Sequence, residues 1–236
     1  MPYAHIKIQD WKSEKTQYNV KCRLTATVYC YFLKEKTIMR LTLTQFITYK
    51  LNVSTSARIH YLRKIKEGSD YSPYKDYWRQ LRNAVSEVAS GTRDLDYLRV
   101  VAENADSRHK SNYYKDASRL INFISNNNVS FMPISKAQWN YLNLTVTASP
   151  EIGMRIHEKD YAVKIYYKVK KPTERWLKNN IPPMLSIMRR ASPEETKTFA
   201  ILNLQNGKLY TEDKYKTDML ELEIDAQTLL DIWNRI

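Results

Sequence analysis

The stretch that decides the fold is residues 143–169, which read NLTVTASPEIGMRIHEKDYAVKIYYKV. Apolar and polar residues alternate in three successive segments of it, which are 143–149, 152–156 and 161–169. Because successive side chains of a strand point to opposite faces, this period of two predicts three short strands. One face of the third strand carries lysines and tyrosines, and we expect this basic, solvated face to be the functional one.

The segments around these strands predict two helices and a hairpin. Their bounds are 107–126 and 173–190 for the helices, and 198–204 and 208–211 for the strands of the hairpin. Pro182-Pro183 should interrupt the second helix, because adjacent prolines remove amide donors and clash with the preceding turn. Asn206-Gly207 predicts a type I′ turn. The resulting order is helix, three strands, helix, strand, which we write αβββαβ.

The N-terminal part of the chain predicts a basic β-hairpin followed by helices. Its strands are expected at 20–32 and 37–43, and the helices at 44–51, 54–67, 72–90 and 94–105. A last helix is expected from about Asp225. We therefore predict a mixed α+β or α/β protein. An N-terminal β-hairpin and helical region spans 1–128, and a C-terminal mixed α/β domain spans 129–236, with helix 107–126 as part of its core.

The charge of the chain indicates a polyanionic partner. The 236 residues carry a formal net charge of +13, with the excess of lysine and arginine mainly in residues 1–68 and 141–191. Residues 192–236 carry an excess of acid. Because a basic surface binds polyanions through counterion release, nucleic acid is the expected partner, DNA ahead of RNA.

Composition also argues against other classes of function. The four glycines are too scattered to form a Gly-rich phosphate loop. No apolar run approaches the roughly 20 residues that cross a bilayer. The segment Met1 to Lys12 is too polar for a signal peptide. We therefore expect a cytoplasmic protein that does not bind membranes.

The αβββαβ order, with Pro150-Glu151 at its second strand, resembles the core of the PD-(D/E)XK, or restriction-endonuclease-like, nucleases over residues 107–211. In that family the Pro-Asp or Pro-Glu pair supplies one metal-binding carboxylate, and an acid two residues before a lysine on the third strand supplies the rest. The resemblance implies Glu151 as a metal ligand, Lys168 as the lysine and Asp116 as a further catalytic acid. Mg²⁺ would be the cofactor of an active enzyme, because it activates a bound water.

The sequence departs from this family at the second acid. The position holds Tyr166, and a tyrosine cannot neutralise a divalent cation. The other register, Ala162-Val163-Lys164, has no carboxylate either. Three interpretations of Glu151 are open: an ion pair with a neighbouring lysine or arginine on a solvated sheet face, an active metal site, or part of a nucleic-acid-binding face that kept the fold and lost catalysis.

We predict a nucleic-acid-binding protein with a degenerate, non-cleaving nuclease-like fold and no cofactor. The expected phosphate contacts are Lys21, Arg23, Lys34, Lys36 and Arg40 in the hairpin, and Arg155, Lys164, Lys168, Lys170 and Lys171 further on. One alternative is a metal-dependent nuclease acting on DNA through Glu151, Lys168 and Asp116. Another is a protein-interaction subunit or homo-oligomer, whose acidic C-terminal segment and tyrosine-rich surface meet a partner chain.

Overall fold

The computed structural model describes residues 38–68, 76–167, 173–192 and 196–236. Residues Met39–Ile236 form one compact unit with a mixed α+β fold. The described helices are α1 (Leu43–Leu51), α2 (Thr55–Lys66), α3 (Arg79–Ala89), α4 (Tyr97–Glu103), α5 (Ser107–Asn126), α6 (Glu174–Ala191) and α7 (Met219–Trp233). The described strands are β1 (Met39–Thr42), β2 (Ser130–Met132), β3 (Gln138–Tyr141), β4 (Leu144–Thr147), β5 (Ile152–Ile156), β6 (Lys159–Tyr166), β7 (Thr198–Asn203) and β8 (Lys208–Thr211). None of these helices is both long enough and apolar enough to span a bilayer.

The larger sheet is mixed and has the strand order β2-β5-β6-β7-β8. β5 pairs antiparallel with both β2 and β6. β6 and β7 run parallel and are connected in the chain through α6, and β8 returns antiparallel to β7. Counted with α5 and α6, the strands of this sheet follow the predicted αβββαβ order, but β3 and β4 are inserted along the chain between β2 and β5. The first of the three strands is therefore β2 and not the predicted segment 143–149.

The strand predicted to come first belongs to a second, smaller sheet. β4 pairs in parallel with β1 and antiparallel with β3, in the order β1-β4-β3. Its buried residues Leu144 and Val146 pack in one hydrophobic cluster with Phe46 and Trp139. The rings of Phe46 and Trp139 meet edge to face, with centroids 5.5 Å apart. Alternation predicts a half-buried strand correctly here, but it does not say which sheet the strand joins.

The parallel pair of β1 and β4 connects the two regions that the sequence analysis divided at residue 128. Met39 lies opposite Leu144, and Thr42 lies opposite Thr147. This pairing does not measure whether the two regions fold independently. The division into two domains at residue 128 therefore stays a prediction. The other strand predicted for the N-terminal hairpin, at 20–32, lies outside the described residues.

Both faces of the larger sheet are covered by other elements. On one side, Val163, Ile165 and Tyr167 join a buried cluster with residues of α3, α4 and α5. On the other side, Ala162 and Phe199 join the cluster that includes residues of α1, α6 and α7. The face of β6 that carries lysine and tyrosine is therefore not a free surface, and the expectation of a solvated basic face was wrong.

Helix α6 runs unbroken from Glu174 to Ala191 with Pro182 and Pro183 inside it, so the predicted interruption was wrong. Each proline removes the hydrogen bond to the carbonyl four residues earlier. Those carbonyls belong to Lys178 and Asn179, which are exposed, so water can take the place of the missing donors. Burial of the opposite side stabilises the helix through Ile181, Met184, Leu185, Ile187 and Met188.

Two helices begin earlier than the sequence predicted because an upstream residue caps them. Thr42 caps α1, because its hydroxyl accepts a hydrogen bond from the Gln45 amide at 3.2 Å, and the helix begins at Leu43 instead of residue 44. Asp218 caps α7 in the same way through the Leu220 amide at 3.0 Å. The last helix thus starts about two turns before the predicted Asp225.

The predicted bounds of other elements are closer to the structure, with two differences. Helices α2 and α5 occur where periodicity placed them. Helix α3 was predicted from residue 72 but begins at Arg79, and the described residues just before it, 76–78, are not helical. The β7–β8 hairpin forms, but its loop covers four residues and has a positive φ only at Gly207, at 65°. It is therefore not the predicted two-residue type I′ turn.

The acidic helix α7 is held against α1 and α2 by ion pairs. Asp225 accepts from Lys50 at 2.8 Å and from Arg58 at 3.3 Å. Glu221 also pairs with Lys50. Part of the acidic segment that was predicted to meet a partner chain therefore binds the basic helices of its own chain.

Candidate functional site

Glu151 lies just before β5, opposite Lys164 of β6. Its amide donates to the Val163 carbonyl at 2.8 Å, which fixes the backbone at this point. Lys164 Nζ donates to Glu151 Oε1 at 3.3 Å. The two side chains are only 21% and 19% exposed. The ion pair that the sequence analysis held open for Glu151 is thus present, but it lies in a half-buried setting rather than on a solvated face.

Tyr167 brings a buried hydroxyl to the same carboxylate. The side chain is part of the core, and its hydroxyl lies close enough to Glu151 to interact with it. Burial, and then the charge of Glu151, raise the pKa of Tyr167 well above its ordinary value, so the hydroxyl keeps its proton. Within the part of the chain that the structure describes, neither this hydroxyl nor Glu151 Oε2 makes a hydrogen bond of standard geometry.

Arg82 of α3 adds a second positive charge near Glu151 and Tyr167. Its guanidinium pairs with Asp76. Burial is the largest single effect and lowers the pKa of Arg82, but the hydrogen bond to Asp76 and the charges of Asp76 and Glu151 together outweigh it, so the pKa is raised. Glu151 is therefore accompanied by two cations, Lys164 and Arg82.

These groups line a cavity of about 260 Å³ that we call the Glu151 cavity. It lies between α1, α3 and α6, beside the C-terminal end of β6. The α1 side contributes the apolar residues Ile47 and Leu51, and α6 contributes Trp176. Tyr166 packs against Trp176 with ring centroids 4.5 Å apart. The cavity thus combines aromatic walls with a small cluster of charged groups.

The Glu151 cavity does not fit the Mg²⁺ ion that the resemblance to nucleases implies. Mg²⁺ takes oxygen ligands, carboxylates above all. Here Glu151 Oε1 already accepts from Lys164, and Arg82 adds positive charge that opposes a divalent cation. Tyr166 occupies the position of the second acid and packs on Trp176. Across the described ranges, no three His, Cys, Asp or Glu side chains are grouped so that they could hold a metal ion.

Asp116, the predicted further catalytic acid, is buried in α5. It accepts from Gln205 Nε2 at 2.9 Å and from Arg119 at 3.4 Å. Burial raises the pKa of Asp116 from 3.8 to about 6, although Arg119 and Gln205 oppose this rise. Asp116 is not among the residues that line the Glu151 cavity, so the structure does not bring the two predicted acids into one site.

We expect Asp116→Asn to stabilise the protein at neutral pH. Because burial raises the pKa in the folded state, the stabilisation from the bound proton is full below 3.8 and is lost as the pH rises through about 6. The loss is at most about 3 kcal/mol. Asparagine has no charge to bury and can keep the contact with Gln205, so the variant should gain about 1–2 kcal/mol at pH 7. Urea unfolding between about pH 4 and 7 measures this. Parallel pH profiles for both proteins would contradict the expectation.

The other predicted phosphate contacts have different outcomes. Arg155 makes a two-point ion pair with Asp160, at 2.6 and 2.9 Å. Arg40 is exposed on β1 and has no ion pair with another described residue. Lys164 forms an ion pair with Glu151, so its charge is already balanced within the protein. The remaining predicted contacts stay predictions because they lie outside the described residues; they are Lys21, Arg23, Lys34, Lys36, Lys168, Lys170 and Lys171.

The structure also presents a basic surface that the sequence analysis did not single out. His60, Arg63, Lys64 and Glu67 share the exposed side of α2 and line an open depression. We call this surface the basic face of α2. Arg63 and Lys64 form no ion pair with another described residue. The signal was in the sequence, since these four residues recur at the spacing of one helical face.

The opposite side of α2 is tied to the C-terminal helix. Arg58 binds Asp225, and Lys66 Nζ donates to the carbonyls of Trp233 at 3.1 Å and Ile236 at 3.2 Å. These contacts fix the rotation of α2 about its own axis. The basic face is therefore held outward by the packing of the helix and not by its own side chains.

Comparison with known proteins identifies no family for this chain. No family model matches it, and no curated protein matches it. Among solved structures, the one described as "Crystal structure of SSO0001" is similar over 90% of this chain and 85% of that chain, with 9% sequence identity and a TM-score of 0.34.

Proposed function

We propose that this chain is a nucleic-acid-binding protein whose αβββαβ core resembles that of the PD-(D/E)XK nucleases but does not cleave. The observation that carries the proposal is the basic face of α2, where Arg63 and Lys64 are exposed and have no ion pair among the described residues. The formal net charge of +13 supports the same partner. Cations that are not used inside the protein can replace the counterions of a phosphate backbone.

The chemistry of the Glu151 cavity supports binding without cleavage. Metal-dependent phosphodiester hydrolysis requires carboxylates that together hold a cation and activate water. In this cavity Glu151 is paired with Lys164, and Tyr166 stands where the second acid is needed. Asp116 is engaged elsewhere by Gln205 and Arg119. The residues present balance one another's charge and leave no cluster of acids at this place.

If α2 binds phosphates, affinity for DNA should fall as the salt concentration rises, and substitutions on α2 should lower both the affinity and its salt dependence. We expect fluorescence anisotropy with labelled DNA, with EDTA present, to show binding that weakens steeply from about 50 to 200 mM salt. The double substitution Arg63→Ala and Lys64→Ala should lower affinity about tenfold and reduce the salt slope by about two. Glu67→Gln should act in the opposite direction, because it removes a negative charge from the same face.

A matched control removes the same charge from cations that are already paired. Arg99 binds Asp96 at 3.2 Å and Lys178 binds Glu174 at 3.1 Å, and all four side chains are at least half exposed. Arg99→Ala with Lys178→Ala should therefore leave affinity nearly unchanged. If both double variants weaken binding equally, net charge and not the α2 face is responsible. No binding by the natural protein at low salt would overturn the proposal.

A cleavage assay tests the non-cleaving part of the proposal separately. We expect labelled DNA to stay intact with Mg²⁺ or Mn²⁺ at any salt concentration that permits binding. Cleavage that requires the metal and disappears in Glu151→Ala would favour the nuclease alternative instead. RNA of the same sequence, run in parallel, tests the preference for DNA.

A further inference from the structure

His60 is the member of the basic face of α2 whose residue type changes charge near neutral pH. It lines the same open depression as Arg63, Lys64 and Glu67, which has a volume of about 540 Å³. Histidine gains a proton, and with it a positive charge, as the pH falls from about 8 to 5. Arginine and lysine stay charged over this range, and glutamate stays mostly ionised. A change of pH therefore alters the charge of this face mainly through His60.

The position of His60 on α2 suits a shared contact with one phosphate group. Residues three and four apart are neighbours on a helix surface, so His60 is the neighbour of both Arg63 and Lys64. All three side chains are exposed, and that of His60 has no hydrogen bond or ion pair with another described residue. Because they line one depression, a phosphate held by Arg63 and Lys64 lies beside His60. A protonated imidazole offers it two N–H donors and a positive charge.

The elements packed against α2 place their charges elsewhere. These elements are α1 and α7. Their charged residues are Lys50, Glu221, Glu223, Asp225 and Asp231. None of these five lines the depression. Lys50 and Asp225 belong to the ion pairs that hold α7 against α1 and α2. Within the described ranges, the charged residues that line the depression with His60 are therefore Arg63, Lys64 and Glu67 of its own helix.

We propose that His60 is a third phosphate contact of the basic face of α2 and that it binds in its protonated form. A phosphate attracts the imidazolium, so nucleic-acid binding takes up a proton and affinity rises as the pH falls. The coupling is reciprocal, because protonation strengthens binding by the same factor by which binding favours protonation. The proposal rests on the proposed nucleic-acid binding through Arg63 and Lys64, and it adds that pH regulates this binding.

Fluorescence anisotropy with labelled DNA at about pH 5.5 and 7.5 gives the direct test, at one salt concentration and with EDTA present. The phosphodiesters of DNA keep their charge between these two pH values. We expect affinity to be about fivefold higher at the lower pH, because one more cation contacts a phosphate. For the same reason, the salt slope should be steeper by about one at the lower pH.

Two substitutions of His60 fix its charge in opposite ways. His60→Gln has no charge at either pH, so its affinity should stay at the lower level at both. His60→Arg is charged at both, so at the higher pH it should bind as tightly as the natural protein does at the lower pH. Asp116 also titrates in this range, with a pKa of about 6. Both variants keep Asp116, so they separate its effect on the protein from that of His60.

His157→Asn is the matched control, because His157 is also exposed but does not line the depression. Asparagine tolerates the positive φ of this position, so the variant should keep the pH dependence of the natural protein. Equal affinity of the natural protein at the two pH values would overturn the proposal and leave binding through Arg63 and Lys64 standing. A pH dependence that survives in His60→Gln would overturn it as well. If DNA binds at neither pH at low salt, the proposed function fails together with it.

Discussion

Asp225→Ala should lower the free energy of unfolding by about 3 kcal/mol, because it leaves two mostly buried cations without their shared partner. The Asp225 side chain is 13% exposed, and those of Lys50 and Arg58 are 15% and 22% exposed. Arg58 also lies over the Tyr49 ring at 5.1 Å, so it cannot turn into solvent without losing that contact. Urea unfolding followed by circular dichroism measures the change.

Glu221→Ala is the control for this result. Glu221 also pairs with Lys50, but its side chain is 58% exposed. Exposed ion pairs contribute little, so the cost should stay below about 1 kcal/mol. If the two variants lose the same free energy of unfolding, the packing of α7 depends on the number of acidic charges and not on the burial of Asp225. Such a result would also weaken the argument that α7 holds the basic face of α2 outward.

The sequence predicted the central strands because their signals are local. Alternation over 152–156 and 161–169 marks β5 and β6, and both occur. Their register follows from the turn between them, where His157 and Glu158 both have positive φ, at 45° and 66°. Ile156 therefore faces Lys159, and the same register continued along the strands puts Glu151 opposite Lys164. Neither His157 nor Glu158 is a usual residue for a turn with positive φ. The sequence therefore predicted such a turn at Asn206-Gly207 and not at His157-Glu158.

Other parts of the fold have no local signal. β2 has three residues, too few to show a period, and its pairing with β5 is a long-range contact. Likewise, alternation in β6 does not reveal that α6 covers the side that carries Lys164. The site depends most on such contacts, since Arg82 and Trp78 line the same cavity as Glu151 but come from a helical region far away in sequence. Of this site, the sequence pattern could indicate only Glu151 and its ion pair with a lysine.

Gly153→Ala should cost about 3 kcal/mol, because a methyl group at this position meets the backbone of the neighbouring strand. Gly153 pairs with Met132 across β5 and β2. A Cβ at residue 153 would lie 2.5 Å from the Met132 carbonyl oxygen and 2.8 Å from its Cγ. Relief requires β2 to move, which would disturb the edge of the sheet two residues from Glu151. Urea unfolding of the variant measures the loss.

Two further variants separate the causes of this loss. Gly207→Ala places a methyl group in open space but at a φ of 65°, so its cost of about 1 kcal/mol comes from the backbone alone. Gly153→Ala combined with Met132→Ala removes the contact with the Met132 side chain and leaves the contact with its carbonyl oxygen. We therefore expect the double variant to stay at least as unstable as Gly153→Ala alone. Recovery to the stability of the natural protein would show that the methionine side chain, and not the close approach of the two backbones, requires glycine at 153.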